Sequence, residues 1–225
     1  MSTSEFGILL QGRVSKWTRD IVTEYKKNFP NAEIIFSTWK SDDVIDIDCE
    51  VIQSVQPPPT RPHNSNINFQ IIGTQAGLKK MNSEIILKCR SDIFIHNKNI
   101  FKIFKESFLP EKIMTTDIGT TPYDYRVSDF CLLATKKVLD EFWNDIPLHD
   151  GSYPIAPETY FTKNYVRNIK KDKRPWKEII NEYFYIQDYH LDFQIEWEKL
   201  STYEDYAALY ENNPAKYRSL LKYSA

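Results

Sequence analysis

Short apolar runs, each closed by a knot of polar residues, set the rhythm of this chain. Residues 7–10 (GILL), 32–36 (AEIIF) and 85–87 (IIL) are too short and too apolar for surface helices. Runs of this length bounded by polar residues predict strands buried on both faces, the signature of a parallel sheet. Between the first two runs, Trp17, Ile21, Val22, Tyr25 and Phe29 recur at helical spacing, with Ser15 as N-cap. Residues 6–36 therefore read as β-α-β, and the right-handed crossover rule makes the two strands parallel neighbours. Further strands are predicted at 50–55, 93–95, 112–116 and 128–134, and helices at 64–80, 99–108, 136–144, 157–168, 172–185 and 214–223. Gly73 and Gly77 weaken the pattern of the second helix. Pro57, Pro58, Pro59 and Pro62 mark a stiff extended loop, because each fixes its own φ and disfavours helix before it.

The polar knots matter more than the runs. Gln11, Gly12 and Arg13 follow the first strand, Ser37 and Thr38 the second, and Lys88, Arg90 and Asp92 the strand that begins at 85. In an open α/β sheet, ligands sit beyond the carboxyl ends of the strands. Three knots at one edge point to a site for a charged small molecule. The competing reading is an internal ion pair of Asp92 with Arg90 or Lys88. Asp129, at the head of the 128–134 segment, and Glu158, at a predicted helix start, are the carboxylates left for proton transfer. Each has a plain structural alternative, Asp129 as a cap or a partner of Arg126 and Glu158 as a helix-dipole partner. The acidic stretch 42–48 (DDVIDID) alternates with apolar residues and reads as a solvated face rather than a metal site.

Composition narrows the class. With 225 residues, 29 basic and 31 acidic side chains, the chain has the size of one large domain and no strong charge. No basic run points to nucleic acid, and no segment approaches the roughly 20 apolar residues that span a bilayer. Three dispersed cysteines form no CxxC pair, and no signal peptide is evident, so a cytoplasmic protein is expected. Only six glycines are present, and neither GxGxxG nor GxxxxGK[ST] occurs, so any nucleotide is held without a glycine-rich phosphate loop.

Leu10–Gln11–Gly12–Arg13, the run FPNAEIIFSTW at 29–39, Asn66–Ile67–Asn68–Phe69–Gln70–Ile71, Gly77–Leu78 and Lys88–Cys89–Arg90–Ser91–Asp92 together resemble the WavE family of lipopolysaccharide-synthesis proteins. The likeness runs over about residues 6–165, including Ser128–Asp129–Phe130 and Pro157–Glu158–Thr159–Tyr160. Related domains occur in glycosylation enzymes of large viruses. The resemblance implies a single α/β domain with a GT-A-like, Rossmann-related, mostly parallel sheet flanked by helices. Its nucleotide-binding half would be residues 6–95 and its acceptor-side half residues 96–225. It implies a glycosyltransferase that moves a hexosyl or deoxyhexosyl group from a nucleoside-diphosphate sugar, UDP-sugar favoured, to a hydroxyl of a glycan acceptor, with inversion. Gln11, Gly12, Arg13, Ser37, Thr38, Lys88 and Arg90 would then bind the donor, and Asp129 or Glu158 would be the base, with Asp129 preferred. Arg90–Ser91–Asp92 takes the place of the family's Asp-x-Asp motif, so Asp92 would hold Mn²⁺ or Mg²⁺, though Arg90 replaces the first acid. A non-catalytic nucleotide-sugar-binding domain and a nucleotidyltransferase remain the alternatives.

Overall fold

The computed structural model describes residues 4–197 apart from 108, 121 and 122. Its elements are β1 (Phe6–Gln11), α1 (Thr18–Asn28), β2 (Glu33–Trp39), β3 (Glu50–Ser54), α2 (Ile67–Lys80), β4 (Ile85–Arg90), β5 (Ile93–Ile95), α3 (Ile100–Glu106), β6 (Ile113–Thr116), β7 (Cys131–Thr135), α4 (Lys136–Asn144), α5 (Pro157–Lys163), α6 (Trp176–Tyr183), β8 (Phe184–Gln187) and β9 (Ile195–Trp197). Seven strands form one sheet in the order β3-β2-β1-β4-β7-β6-β8, and β5 pairs with β9 in a small second sheet. β1, β2, β3 and β4 are mutually parallel, as is β8 with β6, while β7 runs antiparallel between β4 and β6.

Alternation along the strands separates two apolar layers. Leu9, Ile35, Ile86, Leu132 and Ile113 face one layer with α2, α4, α5 and α6. Ile8, Leu10, Phe36, Leu87, Cys89 and Met114 face the other with α1 and α3. Each strand residue points opposite to its neighbour, so a strand covered on both faces needs apolar side chains at both parities. That is why residues 7–10 carry no polar position. The expected mostly parallel sheet with flanking helices is the one observed.

The glycines of α2 have a packing reason. A Cβ at Gly77 would lie 2.3 Å from Leu9 Cδ1, and one at Gly73 would lie 2.8 Å from Gln11 Nε2. They let the helix lie close against β1.

Three expectations need correction. The helix expected at 172–185 is α6 alone, because at Phe184 the period changes from 3.6 to 2: Phe184 and Ile186 are buried while Tyr185 and Gln187 alternate with them in β8. The helix expected at 157–168 is α only to Lys163 and continues as a π-helical segment, Asn164–Ile169. Asp129 does not begin a strand, since β7 starts at Cys131. The helix expected at 214–223 lies outside the described residues.

Candidate functional site

The carboxyl ends of β1, β2 and β4 are tied into one rim by backbone bonds. Gly12 N–H donates to Ser37 O at 3.1 Å, and Ser91 N–H donates to Gln11 O at 3.2 Å. Gly12 has φ +146°, and a Cβ there would sit 2.5 Å from Ser91 Oγ, so glycine permits the close approach. Ser91 Oγ donates to Arg13 O at 2.6 Å, and Thr18 Oγ1 at the start of α1 donates to Ser91 O at 3.0 Å.

Above this rim opens a cleft of about 560 Å³, lined by Gln11, Gly12, Arg13, Arg90 and Asp92, and by Trp39, Pro59, Asn64, Phe69 and Gln70 among others. Trp39 forms a buried floor, and half-buried Phe69 meets it edge to face with ring centroids 5.3 Å apart. The cleft lining thus combines an aromatic pair with two arginines.

Arg90 and Asp92 form a bidentate pair. Arg90 Nε donates to Asp92 Oδ1 and Nη2 to Oδ2, both at 2.8 Å. The guanidinium lies 5.2 Å from the Trp197 ring and 5.8 Å from the Phe130 ring, and Trp197 Nε1 donates to Asp92 Oδ2 at 3.2 Å. Burial works against the charge on Arg90, but the bonds and charge of Asp92 outweigh it, and the pKa is raised.

Three donor-binding candidates lie elsewhere. Ser37 and Thr38 are fully buried, because β2 continues to Trp39 instead of ending at Phe36. Ser37 Oγ donates to Gly73 O at 2.6 Å and Thr38 Oγ1 to the Asp42 carboxylate. Lys88 is also fully buried; its Nζ donates to Asp129 O at 3.0 Å and lies 5.2 Å from the Trp143 ring. Burial lowers its pKa, partly opposed by Asp129. Position 88 points between α2 and α4, and position 90, one strand repeat further on the same face, reaches the cleft.

The two carboxylates expected to serve catalysis lie near enough to interact, and neither is among the residues that line the cleft. Asp129 is buried and accepts a 2.7 Å bond from Nε2 of Gln70, which does line it. Glu158 sits in the first turn of α5 and is partly exposed. Its pKa is raised, first by burial and then by Asp129, against the opposing charges of Arg126 and Arg90. Its Oε2 is buried without a hydrogen-bond partner among the described residues.

The donor set does not fit a divalent cation. Hard cations take about six oxygen ligands. Here both Asp92 oxygens already accept N–H groups, and no cluster of three His, Cys, Asp or Glu side chains suited to a metal occurs among the described residues.

The profile of the WavE lipopolysaccharide synthesis family matches residues 10–143, more than half of the sequence. This chain belongs to that family. No curated protein matches the sequence. Among solved structures, the WavE-family chain is similar to S. aureus TarS, with TM-score 0.50 and 13% identity over 82% of this chain and 35% of TarS. It thus spans about a third of that protein. It is also similar to a glycosyltransferase involved in glycosylation of the major capsid of PBCV-1, with TM-score 0.45 and 16% identity over 82% of this chain and 83% of the other. A third likeness is to 4-diphosphocytidyl-2C-methyl-D-erythritol synthase from Anaerococcus prevotii, with TM-score 0.48 and 11% identity over 90% and 98%. The fold is of the GT-A type.

The sequence pattern does not single out Trp39, Phe69 and Gln70, which line the cleft of this WavE-family chain, or Trp197, which bonds Asp92 at its edge. Trp39, Phe69 and Gln70 all fall in motifs that carry the family resemblance, where their local pattern reads only as strand end or helix. Trp197 carries no local signal, because its place is set by pairing across 100 residues of chain.

Proposed function

We propose that this protein transfers a sugar from a nucleoside-diphosphate sugar to a hydroxyl of a glycan acceptor, with inversion at the anomeric carbon. The observation that carries the reading is the cleft at the ends of three parallel strands, lined by an aromatic pair and two arginines. A flat base stacks at Trp39 and Phe69, a contact that every base can make through its π-face. The diphosphate lies along Gly12, Arg13 and Arg90. As the bond from anomeric carbon to phosphate oxygen breaks, negative charge grows on the leaving diphosphate, and the arginines stabilise it where it forms.

Glu158 is the base. It takes the acceptor proton as the hydroxyl oxygen bonds to the anomeric carbon from the face opposite the leaving group, and the nucleoside diphosphate departs. A carboxylate whose ionised form is partly disfavoured is the stronger base for this step. Asp129 is preoccupied by Gln70 and positions the cleft wall instead. The short turn Gln11–Gly12–Arg13 lacks the glycine-rich, lysine-bearing loop usual in nucleotidyltransferases, which favours transfer of sugar over transfer of nucleotide. Free thiols at Cys49, Cys89 and Cys131 support a reducing, cytoplasmic setting. Among the described residues no helix is long and apolar enough to cross a membrane.

Thermal melts with UDP-GlcNAc, the ligand with which TarS was crystallised, and with GDP-, CMP- and dTDP-sugars test the reading. At 100 times Kd, a ligand bound only by the native state adds about 2.7 kcal/mol of stability. One nucleotide class, UDP-sugars foremost, is expected to raise Tm. If none does, the donor-site reading is wrong.

A further inference from the structure

We infer that the cation opposite the donor diphosphate is the Arg90 guanidinium itself, buttressed by Asp92 and Trp197, so that donor binding needs no divalent metal. The inference rests on the donor-site reading above and adds how that site neutralises its ligand.

A guanidinium presents five N–H donors in a planar fork. Asp92 occupies Nε and one hydrogen of Nη2, and no other hydrogen bond from Arg90 is found among the described residues. The remaining edge, built by Nη1 and Nη2, is the end of the fork that matches two phosphate oxygens. Phe130 and Trp197 lie together against the guanidinium, their own ring centroids 4.9 Å apart, and Trp197 Nε1 bonds the carboxylate that holds it. Side-chain entropy that a free arginine would lose on binding is thereby lost already on folding. Arg13, on the same rim, supplies a second positive charge.

Asp92 in this arrangement is a positioning residue. It does not touch the ligand but fixes the direction of the fork. A carboxylate already accepting three N–H donors is a poor ligand for a hard cation, and position 90 contributes no second acid. The site therefore replaces a metal bridge with a charged, preoriented donor.

The test is calorimetric titration of the full chain with UDP, in excess EDTA and again in excess Mn²⁺. The expected result is equal affinity, within about twofold, under both conditions. Arg90→Ala should weaken UDP binding roughly 100-fold in EDTA, the loss of two charge-assisted hydrogen bonds. Arg90→Lys, which keeps the charge without the fork, should weaken it roughly 10-fold. It serves as the second variant if the alanine form does not fold. Asp92→Asn should weaken binding to a similar degree in EDTA and in Mn²⁺. UDP that binds the wild type only with Mn²⁺, with Asp92→Asn abolishing that dependence, overturns the inference and leaves the donor site standing. Failure of every nucleotide to bind under either condition overturns both.

Discussion

The two halves of the molecule solve their polar problems differently. In residues 6–95 the strand ends are knitted together: Gly12 to Ser37, Ser91 to Gln11 and Arg13, Thr18 to Ser91. Among the described residues, one buried side-chain polar atom of this half, Thr74 Oγ1, lacks a partner. Six more lie in the described part of 96–197: Tyr125 Oη, Arg126 Nε, Trp143 Nε1, Glu158 Oε2, Tyr165 Oη and Asn181 Oδ1. The same half contains the non-glycine residues with positive φ, Tyr125, Lys171 and Gln194, and the π-helical segment after α5. Unpaired buried groups and sparsely populated backbone conformations cost free energy and tend to collect where a protein does chemistry. Under the proposed function, the first half would be a rigid cradle for the donor, and the second would hold polar groups in reserve for an acceptor.

This contrast breaks first at Glu158. If the second half carries the chemistry, Glu158→Gln should cut turnover by about 10²- to 10⁴-fold while leaving UDP affinity unchanged. Equal losses in turnover and affinity would instead make Glu158 part of the donor cradle. Next comes pH. Burial, with a further push from Asp188, raises the Asp117 carboxyl from 3.8 to about 6, despite the Tyr189 N–H that it accepts. A raised acid binds its proton more tightly in the folded state. Its contribution to stability is complete below pH ~4 and is lost as pH rises through about 6, an effect of roughly 3 kcal/mol. Asp117→Asn should flatten that slope in denaturant titrations between pH 4 and 7, and an unchanged slope would clear Asp117 of the role. The smallest effect belongs to the cradle: Phe69→Ala should weaken UDP about 10-fold by loss of stacking, with turnover at saturating donor intact. A fall in turnover alone would remove Phe69 from the base-binding wall.

Sequence made the parallel core legible because burial on both faces leaves an unmistakable apolar run, as at residues 7–10, and because polar residues stop such runs at the site edge. Arg13, Arg90 and Asp92, from such polar stops, line the cleft. A polar residue near a strand end looks the same in sequence whether it faces a cleft or its neighbouring elements; Lys88 faces Gln70 of α2, Trp143 of α4 and the Asp129 carbonyl. Ser37 and Thr38 are buried within β2, which extends past its apolar run to Trp39, a boundary that the run alone does not mark. The antiparallel insertion of β7 and the closing of β9 on β5 arise from long-range pairing, which leaves little trace in local periodicity.

The indole bond from Trp197 to Asp92 joins residues 105 positions apart. During synthesis, the sheet edge with Gly12 and Arg90 emerges long before β9 does. A nascent chain would thus own the cradle but not its clasp, and the arginine fork would gain its final aim only when the last described strand is released and docks. If the proposed donor site is right, its competence is a late event in the life of the molecule.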